Sequence, residues 1–312
     1  MNCILSNIHD AQFNLASEEF LLKESSEDFF MLYRNEPAVI VGKHQNTLAE
    51  INHSYLQDHG IGLVRRLSGG GTVYHDLGNL NFLFIHTGEE GKLVDFKRFL
   101  LPIQKILVSM GLPVEYGGRN DLLINGQKIS GNAEHVFRKR ILHHGTLLFS
   151  SDLSKLENVL RITPGKYKDK AVQSVRSKVT NISEHLEDEV SVENFTLTLF
   201  NKLKTQFDTA LDYSFSSAEI NKIEILVEKK YGTWKWNYGY SPDFDYVFNT
   251  KLQNENVQII FRVQEGHIVE VISNNSICEN SVFKAMADEL TGKVFYEKDV
   301  LDHMSDKGLL NS

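Results

Sequence analysis

The chain has 312 residues, of which 41% are hydrophobic and 24% are charged, with a formal net charge of −8 at pH 7. A globular protein has these proportions, and a length above the usual size of one core predicts two domains. The acidic balance argues against general nucleic-acid binding, and no uninterrupted apolar stretch is long enough to span a membrane.

The first half of the chain predicts a mixture of helices and strands. A helix is expected over residues 17–23, beginning soon after Asn14, and another over 94–110, where apolar residues recur at helical spacing. The apolar run 29–41, interrupted by Asn-Glu-Pro, is typical of a hairpin. Further strands are expected at 61–65, 72–74 and 79–86.

The second half continues this mixed pattern and then changes. Strands are expected at 121–124, 127–129 and 141–150, and helices at 192–207 and 218–231. After an aromatic, Gly- and Pro-containing segment at 234–244, alternating strands at 245–249, 257–263 and 268–272 precede a helix at 281–290. Hairpins broken by helices, without regular βαβ alternation, predict an α+β fold with a mixed sheet and a small C-terminal domain.

The glycine-rich window RRLSGGGTVYHDLGN at residues 65–79 carries the strongest chemical signal in the sequence. Three consecutive glycines let the backbone approach a ligand closely, and two arginines offer planar N–H donors suited to a carboxylate or a phosphate. The window predicts an anion site, with a tight structural turn beside solvated arginines as the alternative. Neither a P-loop nor a GxGxxG fingerprint occurs, so a bound nucleotide would use another cradle.

A second window, GRNDLLINGQKISGNA at residues 118–133, predicts a hairpin that holds a lysine. Asn125 and Gly126 suit a tight primed turn, which places Lys128 on a strand just before Gly131. A lysine fixed in this way supplies a point charge for a phosphate or a carboxylate, whereas a lysine after such a turn is otherwise simply solvated.

Metal-binding signals are weaker. Asp121, beside Asn120, is a candidate to hold a nucleotide or a magnesium ion, with a turn carboxylate as the alternative. His143 and His144 are adjacent on a predicted strand and point to opposite faces, so they do not favour a shared zinc ion. We expect instead one histidine that donates a hydrogen bond into a pocket.

Positive charge is concentrated in residues 161–178, RITPGKYKDKAVQSVRSK, where Arg161 begins a series of Lys and Arg residues. This segment predicts contact with a small anion or an acidic partner, with a solvated basic loop as the alternative. The pair Pro164-Gly165 is typical of a mobile loop.

Seven segments give the chain its resemblance to a known family. They are FNLASEE, VIVGKHQN, RRLSGGGTVYHDLGN, GRNDL, KISGNA, LHHGTLL and SVRSKVTNI. In this order and at this spacing, the chain resembles the lipoate–protein ligase A family over nearly its full length. The resemblance implies a mixed-sheet catalytic domain of the type shared by biotin and lipoate ligases, over residues 1–243, and a small α+β accessory domain over 244–312.

The resemblance also implies an activity in two steps. The carboxylate of lipoate attacks the α-phosphate of ATP, which yields lipoyl-adenylate and pyrophosphate. A specific lysine of an acceptor protein then takes the lipoyl group as an amide and AMP leaves. The implied acceptors are lipoyl-domain proteins, either 2-oxoacid dehydrogenase E2 subunits or the glycine-cleavage H protein.

Individual residues receive roles from the same resemblance. Lys128 matches the family's essential lysine and is expected to be catalytic, bridging the carboxylate and the α-phosphate. The residues expected to bind ATP are Arg66, Gly71, Thr72, Val73, Tyr74, Asn120, Asp121 and Lys128, with Mg²⁺ at Asp121. The residues expected to bind lipoate are Arg65, Gly70, His75, Lys128 and His144, with Leu67 and Leu147 as candidates for an apolar wall. A lid over the adenylate is expected to use Lys170, Ser174 and Arg176.

Alternative activities make different demands on the sequence. An octanoyltransferase that uses a thioester needs a pocket thiol, and Cys3 and Cys278 both lie outside the motifs. A lipoyltransferase that uses preformed lipoyl-adenylate, or a cysteine-independent octanoyl or lipoyl transfer, would share the same motifs and stays open. A protein that only stores or senses lipoate is disfavoured by Lys128 and the basic segment. The scarcity of cysteine and the lack of a secretory signal predict a cytoplasmic location.

Overall fold

The computed structural model describes residues 1–88, 94–118, 120–160, 165–252, 255–274 and 281–310. By their internal contacts, residues group into two compact units, each assembled from separate stretches of chain. Unit 1 comprises Met1–Lys43, Ile61–Glu157 and Ser174–Thr233, and unit 2 comprises His44–Gly60, Asn158–Gln173 and Trp234–Ser312. The division into functional domains between residues 243 and 244 remains a prediction.

The described residues form strands and helices in a mixed order. The strands are β1 (Asn2–Leu5), β2 (Phe29–Arg34), β3 (Ala38–Val41), β4 (Gly62–Arg65), β5 (Val73–His75), β6 (Asn79–Thr87), β7 (Val114–Gly117), β8 (Asp121–Ile124), β9 (Gln127–Phe137), β10 (Arg140–Leu148), β11 (Tyr167–Lys168), β12 (Leu211–Asp212), β13 (Phe244–Leu252), β14 (Glu255–Gln264) and β15 (His267–Ser273). The helices are α1 (Ala11–Glu24), α2 (Thr47–Glu50), α3 (His53–Asp58), α4 (Phe96–Ser109), α5 (Leu153–Val159), α6 (Val192–Lys204), α7 (Ser217–Leu226), α8 (Ser281–Leu290) and α9 (Glu297–Asp306).

The large sheet of unit 1 has the strand order β12-β1-β2-β6-β10-β9-β8-β7 within the described residues. Strand β1 pairs in parallel with β12 and β2, and the remaining neighbours pair antiparallel. A smaller sheet, β4-β3-β5, combines one parallel and one antiparallel pair. These mixed pairings agree with the α+β fold predicted from the sequence.

One face of the large sheet packs on α4 and α6. Its core joins Phe30, Phe84 and Leu147 of the sheet to Ile103 and Leu199 of the two helices, all buried. Helix α4 confirms the helix predicted at 94–110, and α6 the one predicted at 192–207. Burial of such an apolar helix face is the main source of helix stability in a folded protein.

Helix α1 begins earlier than predicted, at Ala11. The carboxylate of Asp10 accepts a hydrogen bond from the amide of Phe13 at 2.6 Å, which satisfies a free N–H of the first turn. Most of this helix is buried, including the carboxylate residues Glu18 and Glu19. Because buried carboxylates need partners, α1 is positioned to organise a polar site.

The predicted hairpin over residues 29–41 is wrong. Strand β2 pairs with β1 and β6 in the large sheet, whereas β3 pairs with β4 and β5 in the smaller sheet. The chain therefore leaves one sheet at Arg34 and enters the other at Ala38. The hairpin predicted at Asn125-Gly126 is confirmed, since β8 and β9 pair antiparallel and both turn residues have positive φ.

Unit 2 has its own sheet and core. The strand order is β11-β13-β14-β15, and helices α8 and α9 contribute Phe283, Met286, Val300 and Met304 to its buried cluster. Strands β13 to β15 and helix α8 confirm the strands predicted at 245–272 and the helix at 281–290. Within the described ranges, no helix has the length and apolar character needed to cross a bilayer.

Candidate functional site

The glycine loop follows β4 and is held by the side chain of Arg66. The guanidinium donates from Nη2 to the carbonyls of Gly69 and Gly71, both at 2.7 Å. It also donates from Nε to the hydroxyl of Ser68 at 3.0 Å and from Nη1 to the carbonyl of Ile40 at 3.1 Å. Burial lowers the pKa of Arg66 to about 10, so the group stays cationic at neutral pH. Arg66 therefore brings a fixed positive charge into the base of the loop.

The side chain of Arg65 is fully buried and forms hydrogen bonds with a neighbouring stretch of backbone. Its Nη1 donates to the carbonyls of Gly42 at 2.9 Å and Lys43 at 3.1 Å, just after β3. These bonds join the ends of β3 and β4 beneath the glycine loop. Gly70 sits within that loop with φ of +88°, a conformation that favours glycine. Contact of Arg65 or Gly70 with lipoate remains a prediction.

A segment that begins at Ser174 lies against the glycine loop. The Ser174 hydroxyl accepts a hydrogen bond from the backbone amide of Thr72 at 2.9 Å. A Cβ atom placed on Gly71 would lie 3.0 Å from that hydroxyl and 3.3 Å from the Ser174 backbone. The absence of a side chain at Gly71 is what lets this segment come so close. Val73 and Tyr74 follow on β5, where Tyr74 is buried.

The same segment continues to the strand that carries Lys128. The amide of Lys128 donates to the carbonyl of Lys178 at 2.8 Å, and the amide of Thr180 donates to the carbonyl of Lys128 at 3.1 Å. Val179 forms the corresponding parallel bridge with Lys128. Residues 174–180, named here the closing segment, therefore contact the glycine loop at one end and the lysine strand at the other.

The ammonium group of Lys128 is partly exposed and already faces an anion. Its Nζ lies 2.9 Å from Oδ1 of Asp121 on the neighbouring strand β8. A Cβ atom on Gly131 would come within 3.1 Å of Nζ, so glycine at this position leaves room for the lysine side chain. Asp121, Lys128 and Gly131, which the sequence analysis considered separately, are thus brought together on adjacent strands.

Asn120 precedes β8 and is used to hold the strands in register. Its Nδ2 donates to the carbonyl of Asn132 at 2.5 Å, and Nδ2 of Asn132 donates back to the carbonyl of Asn120 at 2.9 Å. This reciprocal pair fixes the start of the strand that carries Asp121. A direct contact between Asn120 and a nucleotide remains a prediction.

His144 belongs to a buried polar chain on the face of the sheet that carries α1. Its Nδ1 donates to Oε2 of Glu18 at 2.7 Å, and its Nε2 lies 2.6 Å from the hydroxyl of Ser68. The other oxygen of Glu18 accepts from the hydroxyl of Tyr33 at 2.8 Å. Ser68 also accepts from Arg66, so these contacts join α1, β2 and β10 to the glycine loop.

His75, at the end of β5, is buried and neutral. Burial, with the charges of Arg66 and His144, lowers the pKa of His75 to about 3. Its Nδ1 lies 3.0 Å from Nδ2 of Asn35, the residue that follows β2. Arg66, His75 and His144, predicted separately, are therefore close enough to influence one another electrostatically.

The basic segment is distributed over both units. Lys170 is exposed and belongs to unit 2, whereas Ser174 and the exposed Arg176 belong to unit 1. Arg161 and Pro164, which contributed to the prediction of a basic mobile loop, lie outside the described residues. The predicted action of this segment as a lid remains a prediction.

One expectation about the pocket wall is wrong. Leu147 packs in the core formed with α4 and α6, on the face of β10 opposite His144. The two residues are three positions apart on a strand, and side chains alternate faces, so they cannot line the same pocket. Leu67, the other wall candidate, is buried beside the glycine loop.

The structure also addresses the metal and thiol alternatives. His143 donates to Glu134 at 2.8 Å and stacks on Phe99 of α4. Its ring therefore lies in the core formed with α4 and α6, on the face of β10 opposite His144. Across the described residues no group of three His, Cys, Asp or Glu side chains is arranged to hold a metal ion. Cys3 lies in the same core, where burial raises the pKa of its thiol, and Cys278 lies outside the described residues.

Three buried polar residues of the site received no role from the sequence: Glu18, Ser68 and Asn35. Each is at most 2% exposed and bonds to a predicted site residue. Asn35 carried a signal, because it directly follows a largely apolar strand, whereas Glu18 lies in a helix with several other polar residues and did not stand out. Polar side chains in such positions are buried only with partners.

Comparison with known families gives a consistent result. Residues 10–204 match the family model described as the lipoyl protein ligase A/B catalytic domain. The chain is 43% identical to lipoate–protein ligase 1 of Staphylococcus aureus over 267 residues, which cover 84% of this chain and 80% of the relative. It is 38% identical to a lipoate–protein ligase of Bacillus subtilis over 266 residues, with 84% and 80% coverage.

Solved structures share the fold. The Plasmodium falciparum protein LipL1 in complex with lipoate has a TM-score of 0.64 at 25% identity, covering 97% of this chain and 94% of that one. A lipoate–protein ligase A bound with ATP has a TM-score of 0.62 at 24% identity, with 77% and 100% coverage. A bipartite lipoate–protein ligase of Thermoplasma acidophilum, studied with its E2 lipoyl domain, has a TM-score of 0.65 at 24% identity, with 77% and 96% coverage.

The matched region contains the glycine loop, the lysine hairpin and the closing segment, which the structure brings together in unit 1. The predicted fold and the predicted family are both confirmed. The chain belongs to the lipoate–protein ligase family, with the lipoyl protein ligase A/B catalytic domain.

Proposed function

We propose that this protein is an ATP-dependent lipoate–protein ligase. It joins lipoate to AMP with release of pyrophosphate, and then transfers the lipoyl group to the ε-amine of a lysine on a lipoyl-domain protein. The names of the relatives and of the lipoate- and ATP-bound structures support this activity. ATP is abundant in the cytoplasm, which agrees with the location predicted from the sequence.

One structural observation carries the proposal. The closing segment bonds to the glycine loop through Ser174 and to the lysine strand through Lys178 and Thr180. A ligand that contacts the loop amides and the ammonium of Lys128 would therefore lie beside a single segment that can shield it. An acyl-adenylate needs this protection, because water hydrolyses a mixed anhydride.

Adenylation requires two anions to meet, and fixed cations reduce their repulsion. Two unit charges about 4 Å apart repel by about 4 kcal/mol at an effective dielectric constant near 20. We assign Lys128 to the carboxylate and the α-phosphate, where its ammonium would exchange the carboxylate of Asp121 for substrate oxygens. Its contribution is electrostatic, strongest where charge develops on the pentavalent phosphorus.

The remaining predicted residues divide between the two substrates. Arg66 supports the loop whose residues Gly71, Thr72, Val73 and Tyr74 would hold the nucleotide, together with Asn120 and Asp121. Arg65, Gly70, His75 and His144 would surround the carboxyl end of lipoate, and Lys170, Ser174 and Arg176 would cover the adenylate. Backbone amides in a glycine loop are effective donors to anionic oxygens.

The residues present fit a magnesium ion that arrives with ATP. Asp121 offers a carboxylate beside Lys128, and Mg²⁺ commonly takes one or two protein carboxylates and keeps phosphate and water as its other ligands. We propose that Asp121 would supply one oxygen to this ion. The ion would neutralise phosphate charge, and the chain's own residues would orient the substrates.

The acceptor is proposed to be a lipoyl domain. The structural study of the Thermoplasma acidophilum ligase also covers its E2 lipoyl domain, which supports an acceptor of this class. Both 2-oxoacid dehydrogenase E2 subunits and the glycine-cleavage H protein present a lysine that could receive the lipoyl group.

The test combines purified protein, lipoate, ATP and a purified lipoyl domain. We expect lipoate-dependent pyrophosphate release and a mass increase of the lipoyl domain that equals one lipoyl group. A reaction that omits ATP but supplies synthetic lipoyl-adenylate separates the second step. Transfer from lipoyl-adenylate without any pyrophosphate release from ATP would replace the ligase proposal by a lipoyltransferase, and no transfer in either reaction would refute both.

A further inference from the structure

One ring nitrogen of His75 is buried and forms no hydrogen bond with the described part of the chain. The side chain is 4% exposed, and its Nδ1 lies 3.0 Å from Nδ2 of Asn35. Its Nε2 is buried and has no hydrogen-bond partner among the residues that the structure describes. A buried polar atom without a partner is costly, so its retention beside Arg66 and the glycine loop points to a ligand.

The direction of the hydrogen bonds behind His75 is fixed by a backbone carbonyl. Nδ2 of Asn14 lies 2.8 Å from the carbonyl oxygen of Ile8, which can only accept. That nitrogen also lies 2.8 Å from Oδ1 of Asn35, so both of its hydrogens are used. Asn35 therefore turns its oxygen toward Asn14 and its NH₂ group toward His75. The bonds run from Asn14 to Asn35 to His75 in one direction.

This direction determines the proton of the imidazole ring. Because Asn35 donates to Nδ1, that nitrogen must act as an acceptor and carries no hydrogen. Burial, the positive charge of Arg66 and the neighbouring His144 hold the pKa of His75 near 3, so the ring is neutral at physiological pH. Its single N–H is then at Nε2, the nitrogen for which the described residues offer no hydrogen-bond partner.

We propose that Asn14 and Asn35 are positioning residues that hold His75 in its Nε2–H tautomer, and that this N–H donates to a carboxyl oxygen of the acyl substrate. The identity of the ligand rests on the proposed function, whereas the tautomer does not. A neutral donor suits this reaction, because the substrate oxygen is part of a carboxylate before adenylation and of a carbonyl group afterwards. An imidazolium would bind the carboxylate more tightly than the adenylate and would oppose the first step.

The first experiment measures the tautomer in the ligand-free protein. Nitrogen-15 NMR of the imidazole rings distinguishes Nδ1–H, Nε2–H and imidazolium forms, and the His75→Gln variant identifies the His75 signals among those of 12 histidines. We expect a neutral Nε2–H ring from pH 5 to pH 8. A ring protonated at Nδ1, or an imidazolium at neutral pH, would overturn the proposal whether or not the protein is a ligase.

The second experiment changes one hydrogen-bonding group in the series Asn14–Asn35–His75. In Asn35→Asp the carboxylate still accepts from Asn14 but cannot donate to Nδ1, so the ring must carry a proton at Nδ1. We expect the NMR signals of His75 to change. At a pH where this ring is neutral and Nε2 carries no hydrogen, lipoate binding in calorimetry should weaken about tenfold, the value of one hydrogen bond. The kcat/KM for lipoate should also gain a pH dependence from this ring, which in the wild type stays neutral from pH 5 to pH 8.

The matched control is Ser17→Ala. The Ser17 hydroxyl donates to the backbone carbonyl of Asn14 at 2.7 Å, so its removal touches the same asparagine and leaves the side-chain bonds of Asn14 to Ile8 and Asn35 in place. In this control variant, the tautomer of His75 and the affinity for lipoate should match those of the wild type. If Asn35→Asp changed the tautomer but left lipoate affinity and the pH profile unchanged, the ligand contact would be refuted. If wild-type protein never formed lipoyl-adenylate, the proposed function would fail while the NMR result stood.

Discussion

The hydroxyl of Ser174 accepts a hydrogen bond from the amide of Thr72 at 2.9 Å, directly over the place where Gly71 has no side chain. Through this contact the closing segment reaches the glycine loop, and six residues later Thr180 bonds to the backbone of Lys128. Three sequence motifs that are far apart along the chain are therefore joined by one series of hydrogen bonds in unit 1.

Substitution of Gly71 by alanine should separate the closing segment from the loop. The added methyl group would lie 3.0 Å from the Ser174 hydroxyl and 3.3 Å from its backbone, so the segment must shift. We expect lipoate-dependent ATP–pyrophosphate exchange to fall at least about tenfold, since small displacements of positioning groups are costly to catalysis. Gly69→Ala is the control, because no atom of the described residues lies within 4 Å of its added methyl group. Equal exchange rates in the two variants would contradict this role of the close contact.

Lys128→Ala should abolish adenylation and leave the fold intact. The ion pair with Asp121 is partly exposed, so its loss should change the free energy of unfolding by no more than about 1 kcal/mol. Loss of a charge that stabilises the transition state should slow pyrophosphate exchange by about 10²–10³-fold. The exposed Lys139→Ala, in the turn between β9 and β10, controls for removal of a lysine near the other end of β9. Wild-type exchange in Lys128→Ala would remove this lysine from the proposed mechanism.

Short-range signals predicted the local structure well. The Asn125-Gly126 turn and helix α4 depend on neighbouring residues, and both were found as expected. The hairpin at 29–41 failed because β2 and β3 are almost entirely buried and apolar, so they show no polar face to indicate their partners. For such strands pairing is decided by tertiary contacts, which the local pattern does not contain.

The candidate site shows the same limit. The glycine window and Lys128 were each recognised from residue type and spacing, since Gly, Arg and Lys have specific uses near anions. Their connection through Ser174 and Thr180 depends on long-range packing and could not be read from spacing. The expectation that Leu147 and His144 line the same pocket was wrong, because side chains alternate between the two faces of a strand. Leu147 therefore points from β10 into the core, on the face opposite His144.

Removal of the Glu18 carboxylate should destabilise unit 1 strongly. Its two oxygens accept from His144 and Tyr33, and all three side chains are buried. In Glu18→Ala both donors lose their partner, and we expect the free energy of unfolding in urea to fall by about 3 kcal/mol or more. Glu18→Gln keeps an oxygen for His144 and a polar nitrogen beside Tyr33, so its loss should be about 1 kcal/mol. Equal losses in the two variants would show that packing, and not hydrogen bonding, explains the effect.

The buried neutral state of His75 should make stability depend on pH. A histidine of the unfolded chain titrates near pH 6.5, whereas burial holds the pKa of His75 near 3 in the folded protein. Between these values the unfolded state binds a proton that the folded state does not, so the free energy of unfolding decreases as the pH falls. From pH 6.5 to pH 5.5 this contribution is about 1 kcal/mol, and it levels off below the folded pKa. His75→Gln lacks the titrating ring and keeps every other histidine, so in urea unfolding it should lose about 1 kcal/mol less than the wild type over that interval. The same pH slope in both proteins would mean that His75 takes up its proton over the same pH interval in the folded and unfolded states.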